Sequence, residues 1–260
     1  MRGPEHSGPV TPPLPPLALL SSPLLGPAVW APVSQVLAGL GWDVHLVPGP
    51  ASAPRDGDEM LTHLIAHLPA GADLAVAAHS NAGLYLPALT GVRHLLASVY
   101  VDAALPAADG PVPLAPPRLA SFVADLAGPD GLLPPWTRWW DEADVAPLFP
   151  DTATRAEVER QQHRLPADYF TSTIDAPTGW IDRPAAYLAF GDGNQAERRR
   201  AANWGWPAET IAHARHLHGL IDPPAVGTHI DDLLRHLLDN NQTAARLSAP
   251  PSSAPRSPSR

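Results

Sequence analysis

A serine hydroxyl is a weak nucleophile until an imidazole can take its proton and a carboxylate fixes the tautomer of that imidazole. Ser80 stands in Leu-Ala-Val-Ala-Ala-His-Ser-Asn-Ala-Gly, an apolar run that leads straight into the serine and then into small residues. A nucleophile held on a sharp turn between a strand and a helix needs small neighbours two residues away, because the two elements pass so closely there. Ala78, Ala82 and Gly83 meet that need, although both glycine positions of the strict Gly-x-Ser-x-Gly pattern are changed. A serine that merely caps a helix N-terminus would leave similar residues. Far downstream, Ala-His-Ala-Arg-His-Leu-His-Gly-Leu-Ile-Asp-Pro supplies three imidazoles, His213, His216 and His218. Such a trio could also bind zinc, but no ligand cluster elsewhere matches it, so no metal is expected.

These residues need a scaffold that brings them together. Apolar runs predict strands over 17–20, 43–47, 74–78, 96–101, 185–190 and 210–212, and helical patterns fall between them over 32–40, 59–68, 82–89, 195–204 and 224–238. In the second of these helices Leu61, Leu64, Ile65 and Leu68 share one face. Continuous apolar strands alternating with helices imply an α/β fold, a mostly parallel sheet flanked by helices on both faces. Sites in such sheets form at the carboxyl ends of strands, where Ser80 lies. The stretch from about 107 to 184 is too long for a simple crossover and has its own helical patterns over 119–126 and 153–163. It reads as an inserted helical lid. Its Trp136, Trp139, Trp140 and Trp180 would line an apolar pocket or form the core of the lid.

Composition removes several kinds of chemistry. Among 260 residues there is no Cys, which excludes disulfides, thiolate metal sites and a cysteine nucleophile. Every basic side chain is Arg, so a Schiff-base lysine and a phosphate-loop lysine are absent as well. A formal net charge of −9, with no basic patch beyond Arg198-Arg199-Arg200, argues against a nucleic-acid partner. No stretch reaches the roughly 20 apolar residues of a membrane helix. The run from Leu14 to Ala28, with Glu5 before it and prolines within it, reads as a buried strand rather than a secretory signal. Residues 1–16 and 247–260, rich in Pro and Ser, are expected to be disordered tails around a domain spanning 17–240. A cytoplasmic location is expected.

The order and spacing of these motifs resemble the α/β-hydrolase superfamily, in particular its small esterases and hydroxynitrile-lyase-like members. The resemblance runs from about residue 17 to 238. It includes the first apolar strand leading through Gly26 and Trp30 to a helix beginning Pro32-Val33, and the segment Val-Tyr-Val-Asp-Ala-Ala-Leu-Pro from Val99 to Pro106. It implies His216 as the base, since family members carry Gly-Gly-His, an apolar stretch and Asp-Pro before the last helix. His218 and His213 are the other candidates. The usual acid position falls on Asn194, which cannot carry the charge that stabilises an imidazolium. Haloalkane dehalogenases place the acid one core strand earlier, and Asp102 matches that place. Asp102 therefore ranks before Asp192, and Glu197 comes third. The family also forms an oxyanion hole with a main-chain amide after the first strand, where this chain has Pro23, which has no N–H. The resemblance leaves the amide of Leu24 or Leu25, or the Ser22 side chain, as one donor and the Asn81 amide as the other.

The expected function is a serine hydrolase, esterase-like, acting without cofactor on a small, fairly apolar ester or acyl compound as its partner. A non-catalytic binding or scaffold protein with a degenerate site is the alternative, suggested by Pro23 and Asn194. A hydroxynitrile-lyase-type reaction could use the same three side chains.

Overall fold

The computed structural model describes residues 13–71 and 73–248. Six parallel strands form the central sheet: β1 (Leu17–Leu20), β2 (Val44–Leu46), β3 (Asp73–His79), β4 (His94–Val101), β7 (Ala185–Phe190) and β8 (Ala208–Ile211), with β5 (Val112–Pro113) and β6 (Thr173–Ile174) pairing separately and antiparallel. The order across the sheet is β2-β1-β3-β4-β7-β8. The chain steps outward from β1 to β2 and then returns to the other side of β1, so the order reverses between β1 and β3, where open α/β sheets bind ligands. Ser80 follows β3 directly, and Ser22 lies two residues beyond the end of β1. In the register of this pair Leu20 faces Ala78, so Ser22 and Ser80 each lie two residues past the last paired position.

All four residues of β1 and all six of β7 are buried, as are residues 74–79 of β3. Strands covered on both faces must be apolar throughout, which is why these runs showed no alternation. Helices α1 (Ala31–Gly39) and α9 (Pro223–Ser248) pack on each other, and α9 also lies across β4 and β7. α2 (Gly57–His67), whose Asp56 side chain accepts from the Glu59 amide at its N-terminus, packs on α3 (Leu86–Val92), and α7 (Gln195–Asn203) lies against β7 and β8. Among the described residues no helix is long and apolar enough to cross a membrane.

Between β4 and β7 the chain leaves the sheet and builds α4 (Pro117–Leu126), α5 (Glu142–Val145), α6 (Thr152–Gln161), the β5-β6 pair and several 3-10 turns. Trp136, Trp139, Phe149, Tyr169 and Phe170 are buried there, and the Tyr169 hydroxyl meets that of Tyr85 from the main body. The four tryptophans of this segment do not act together. Trp180 joins Tyr100, Trp204 and Trp206, while Trp140 is 45% exposed and stacks on Phe122.

Three sequence expectations need correction. The helix expected over 82–89 is a 3-10 turn over Ser80–Tyr85 followed by α3. Pro87 has no N–H to give the Gly83 carbonyl, and the Leu86 amide takes that acceptor with the tighter spacing. The last helix runs ten residues past 238 to Ser248, so Leu247, placed in the tail, is helical. At the other end Leu14 packs against the core, and the Pro16 carbonyl accepts from Ala75, so the inner end of that tail is tied down. Residues 1–12 and 249–260 lie outside the described residues.

The tight turn after β3 depends on Gly83, where an added Cβ would sit 2.5 Å from the Ala104 carbonyl oxygen and 2.8 Å from Ala103 Cβ. Neither neighbour is the free end of a flexible chain. Gly83→Ala is expected to destabilise the fold by about 1–3 kcal/mol, read as a lower urea midpoint with an unchanged slope.

Candidate active site

Three strand ends converge. Ser80 follows β3 with φ of 61°, and Asp102 follows β4 with φ of 43°. A non-glycine residue held in this left-handed region costs roughly 1–2 kcal/mol, and such strain persists where the surroundings over-determine the backbone. Here the Ser80 carbonyl accepts from the Ala104 amide at 3.0 Å and the Asp102 amide donates to the Leu188 carbonyl at 2.7 Å. His216 lies in the loop after β8, just before α8 (His218–Ile221). Its Nε2 is 2.9 Å from Ser80 Oγ and its Nδ1 is 2.7 Å from Asp102 Oδ2.

Asp102 is only 4% exposed. Its other oxygen, Oδ1, accepts from the Phe190 amide at 3.1 Å and from Asn194 Nδ2 at 2.9 Å. Burial pushes this carboxyl up, but the hydrogen bond and charge of His216, with the donations from Asn194 and Phe190, outweigh it and hold Asp102 below the usual carboxylate range. A carboxylate ionised here can stabilise an imidazolium and fix Nδ1 as the protonated nitrogen, leaving Nε2 to accept from Ser80.

His79 packs against this assembly from the buried side. Its ring centroid is 4.7 Å from that of His216, and its Nε2–H donates to the His216 carbonyl at 2.8 Å, which anchors the loop that carries His216. Its Nδ1 is buried without a partner beside a void of about 10 Å³ lined by Trp30, Phe190, Leu217 and Val226. Sequence reading passed over His79 because its only signal was its place next to Ser80.

The other candidates stand apart. His213 is exposed, and His218 turns its ring edge to Phe190. Asp192 is exposed, and neither it nor Glu197 bonds to His216. Among the described residues no group of three or more His, Cys, Asp and Glu is placed to hold a metal.

The loop after β1 closes on itself. Leu25 and Gly26 both donate to the Ser22 carbonyl at 3.0 Å, and the Leu24 amide goes to Ser22 Oγ at 3.2 Å. The Leu24 amide, considered as an oxyanion donor, is therefore already committed, and the Leu25 amide is too. Ser22 is fully buried, and its hydroxyl, which accepts from Leu24, keeps its own proton to donate; the buried Ser21 hydroxyl beside it has no partner among the described residues. The Asn81 amide belongs to the first turn of a short helix, where the leading N–H groups have no partner within the helix. Trp136 covers the site, with its ring 5.8 Å from that of His216.

Neither a family model nor a curated protein matches the sequence. Solved structures do. Tomato methylketone synthase I, in a variant complexed with beta-ketoheptanoate, superposes with a TM-score of 0.67 at 14% identity over 87% of this chain and 100% of its own. An extracellular α/β-hydrolase from a Paenibacillus species gives 0.66 at 14% identity over 85% and 100%. Polyneuridine aldehyde esterase gives 0.65 at 14% identity over 84% and 98%. The chain has the α/β-hydrolase fold.

Burial lowers the His79 pKa to about 3, with the neighbouring His216 adding to the effect. The unfolded chain then binds a proton near pH 6.5 that the folded protein refuses, so stability is complete above 6.5 and falls as the pH drops towards 3. Urea unfolding at pH 7.5, 6 and 5 should show the wild type losing about 1.4 kcal/mol per pH unit below 6.5 beyond any loss in His79→Gln, which keeps an N–H donor.

Proposed function

We propose that this chain is a serine hydrolase of the esterase type, with Ser80 as nucleophile, His216 as base and then acid, and Asp102 orienting and stabilising the imidazole. The unbroken hydrogen-bonded relay from Ser80 Oγ through His216 to Asp102 carries this reading. Ser80 Oγ attacks the ester carbonyl carbon while its proton passes to His216 Nε2. The oxyanion that forms accepts hydrogen bonds from the Asn81 amide and the Ser22 hydroxyl. Collapse breaks the bond to the leaving alkoxide, which takes the proton from His216 and departs as the alcohol. Water then attacks the acyl-serine, gives its proton to His216, and returns Ser80 with release of the carboxylic acid. Small, fairly apolar esters suit the aromatic cover, and the fold neighbours include an esterase and a pyrethroid hydrolase.

The second reading, a binding protein with a degenerate site, draws on Pro23, which removes a main-chain donor from the loop after β1. The voids beside His216 and beside Ser22 are each about 10 Å³, room for one water, and Ser80 lines neither.

Labelling by a fluorophosphonate probe separates the two. Wild type should be labelled and Ser80→Ala should not, with both folded by circular dichroism. An unlabelled wild type with the fold intact favours the binding protein. With p-nitrophenyl butyrate, Asp102→Asn should lower kcat by about 10⁴, and Ser22→Ala should lower it by about 10²- to 10³-fold with little change in KM.

A further inference from the structure

We propose that Asn194 is a positioning residue for the relay: its side-chain amide fixes which carboxylate oxygen of Asp102 faces His216 and draws charge off that carboxylate. Its consequence for turnover rests on the hydrolase reading above. The contact itself does not.

Asn194 occupies the N-cap of α7, a position where asparagine ordinarily accepts from the amides of its own helix. Here its side chain makes no capping bond. Nδ2 points instead across to the end of β4, donating to Asp102 Oδ1 at 2.9 Å and to the Asp102 carbonyl at 3.2 Å. The Phe190 amide donates to the same Oδ1 at 3.1 Å. With two donors on Oδ1, only Oδ2 is left for His216 Nδ1. A carboxylate can rotate about its last bond, and a single donor would leave that rotation open. The side-chain donor from beyond β7 and the main-chain donor from its last residue close it.

The donor must also be neutral. An aspartate in place of Asn194 would bring a second carboxylate to hydrogen-bonding range of the first, and like charges at that distance cannot both stay ionised. The other titratable groups around Asp102 are His216, His79 on the buried side of the imidazole, and Tyr187 on β7, whose hydroxyl goes to the Ala103 carbonyl. Among the described residues none of these competes for Oδ1. The amide that prevents Asn194 from serving as the acid is what lets it serve the acid one strand away.

Asn194→Leu keeps the branching and removes the donor, and Asn194→Ala, measured beside it, removes the donor without adding bulk. Two readouts are needed, the fluorophosphonate labelling rate and the titration midpoint of the Asp102 carboxyl carbon by NMR. The proposal expects labelling at pH 7 to slow roughly tenfold and the Asp102 midpoint to move up by about one unit. In the Asp102→Asn background the same Asn194 substitutions should change the residual labelling rate little, since they act through a charge no longer present. An unmoved midpoint in a folded variant, or an equal loss of labelling in the Asp102→Asn background, overturns it. Should the wild type not be labelled at Ser80, the hydrolase reading falls alone, and the carboxyl titration still decides the role of Asn194.

Discussion

The buried carboxylate of Asp102 is the group on which the rest of the site depends. A carboxylate at 4% exposure is tolerated only with its lone pairs filled, and His216, Phe190 and Asn194 together do that from three different segments. The demand runs both ways. Because Asp102 needs these donors, it holds the loop after β8 and the start of α7 to the end of β4. Its own backbone lies in the left-handed region, at φ of 43°.

Strain at Ser80 follows from the same geometry. At Ser80 the chain must leave β3 and enter a helical turn at once, and only small residues let it double back so tightly. Gly83 packs against Ala103 and Ala104, the residues immediately after Asp102. The turn that exposes Ser80 and the turn that presents Asp102 are therefore in contact, and the Ala104 amide bonds to the Ser80 carbonyl. Ser80 and Asp102 are placed by one packed unit at the ends of β3 and β4, and His216 is delivered to it from β8. His79 completes the connection from beneath by holding the His216 carbonyl.

The parts of this arrangement that were legible in the sequence are those fixed by short-range chemistry. Strands β1 and β7 could be bounded to the residue because a strand buried on both faces must be apolar from end to end, and their flanks are not. Ser80 was legible from the small residues around it. Asp102 and His216 were reached through the order of motifs in a known fold, and nothing in their local sequence distinguishes His216 from His213, which the fold leaves in solvent. The loop after β1 was legible only as a defect, because Pro23 announces a missing donor while the commitment of the Leu24, Leu25 and Gly26 amides to Ser22 is a property of the folded turn. Asn194 was legible only in part. A sequence shows that an amide stands where an acid was expected, but not that the amide reaches across to Asp102. Trp180 shows the same limit at longer range, since its neighbours Trp204 and Trp206 lie beyond β7 in the chain.

The inserted segment is more than a cover. Its helix α6 ends at Gln161, whose Oε1 accepts from the Ala28 amide at 2.8 Å, and His163 just beyond it donates to the Pro50 carbonyl at 2.8 Å. Gly26, at φ of 77°, lies so close that a Cβ would stand 2.7 Å from Gln161 Cβ. The turn that runs from Ser22 to Gly26 is thus closed by its own hydrogen bonds on one side and by α6 on the other. On the far side of the site the segment brings the Trp136 ring to 5.8 Å from that of His216, an apolar contact, and the next residue, Thr137, is tied through its amide and hydroxyl to Gln162 Oε1. Moving α6 would break two hydrogen bonds and release the turn that holds Ser22, whereas moving Trp136 breaks no hydrogen bond to the relay.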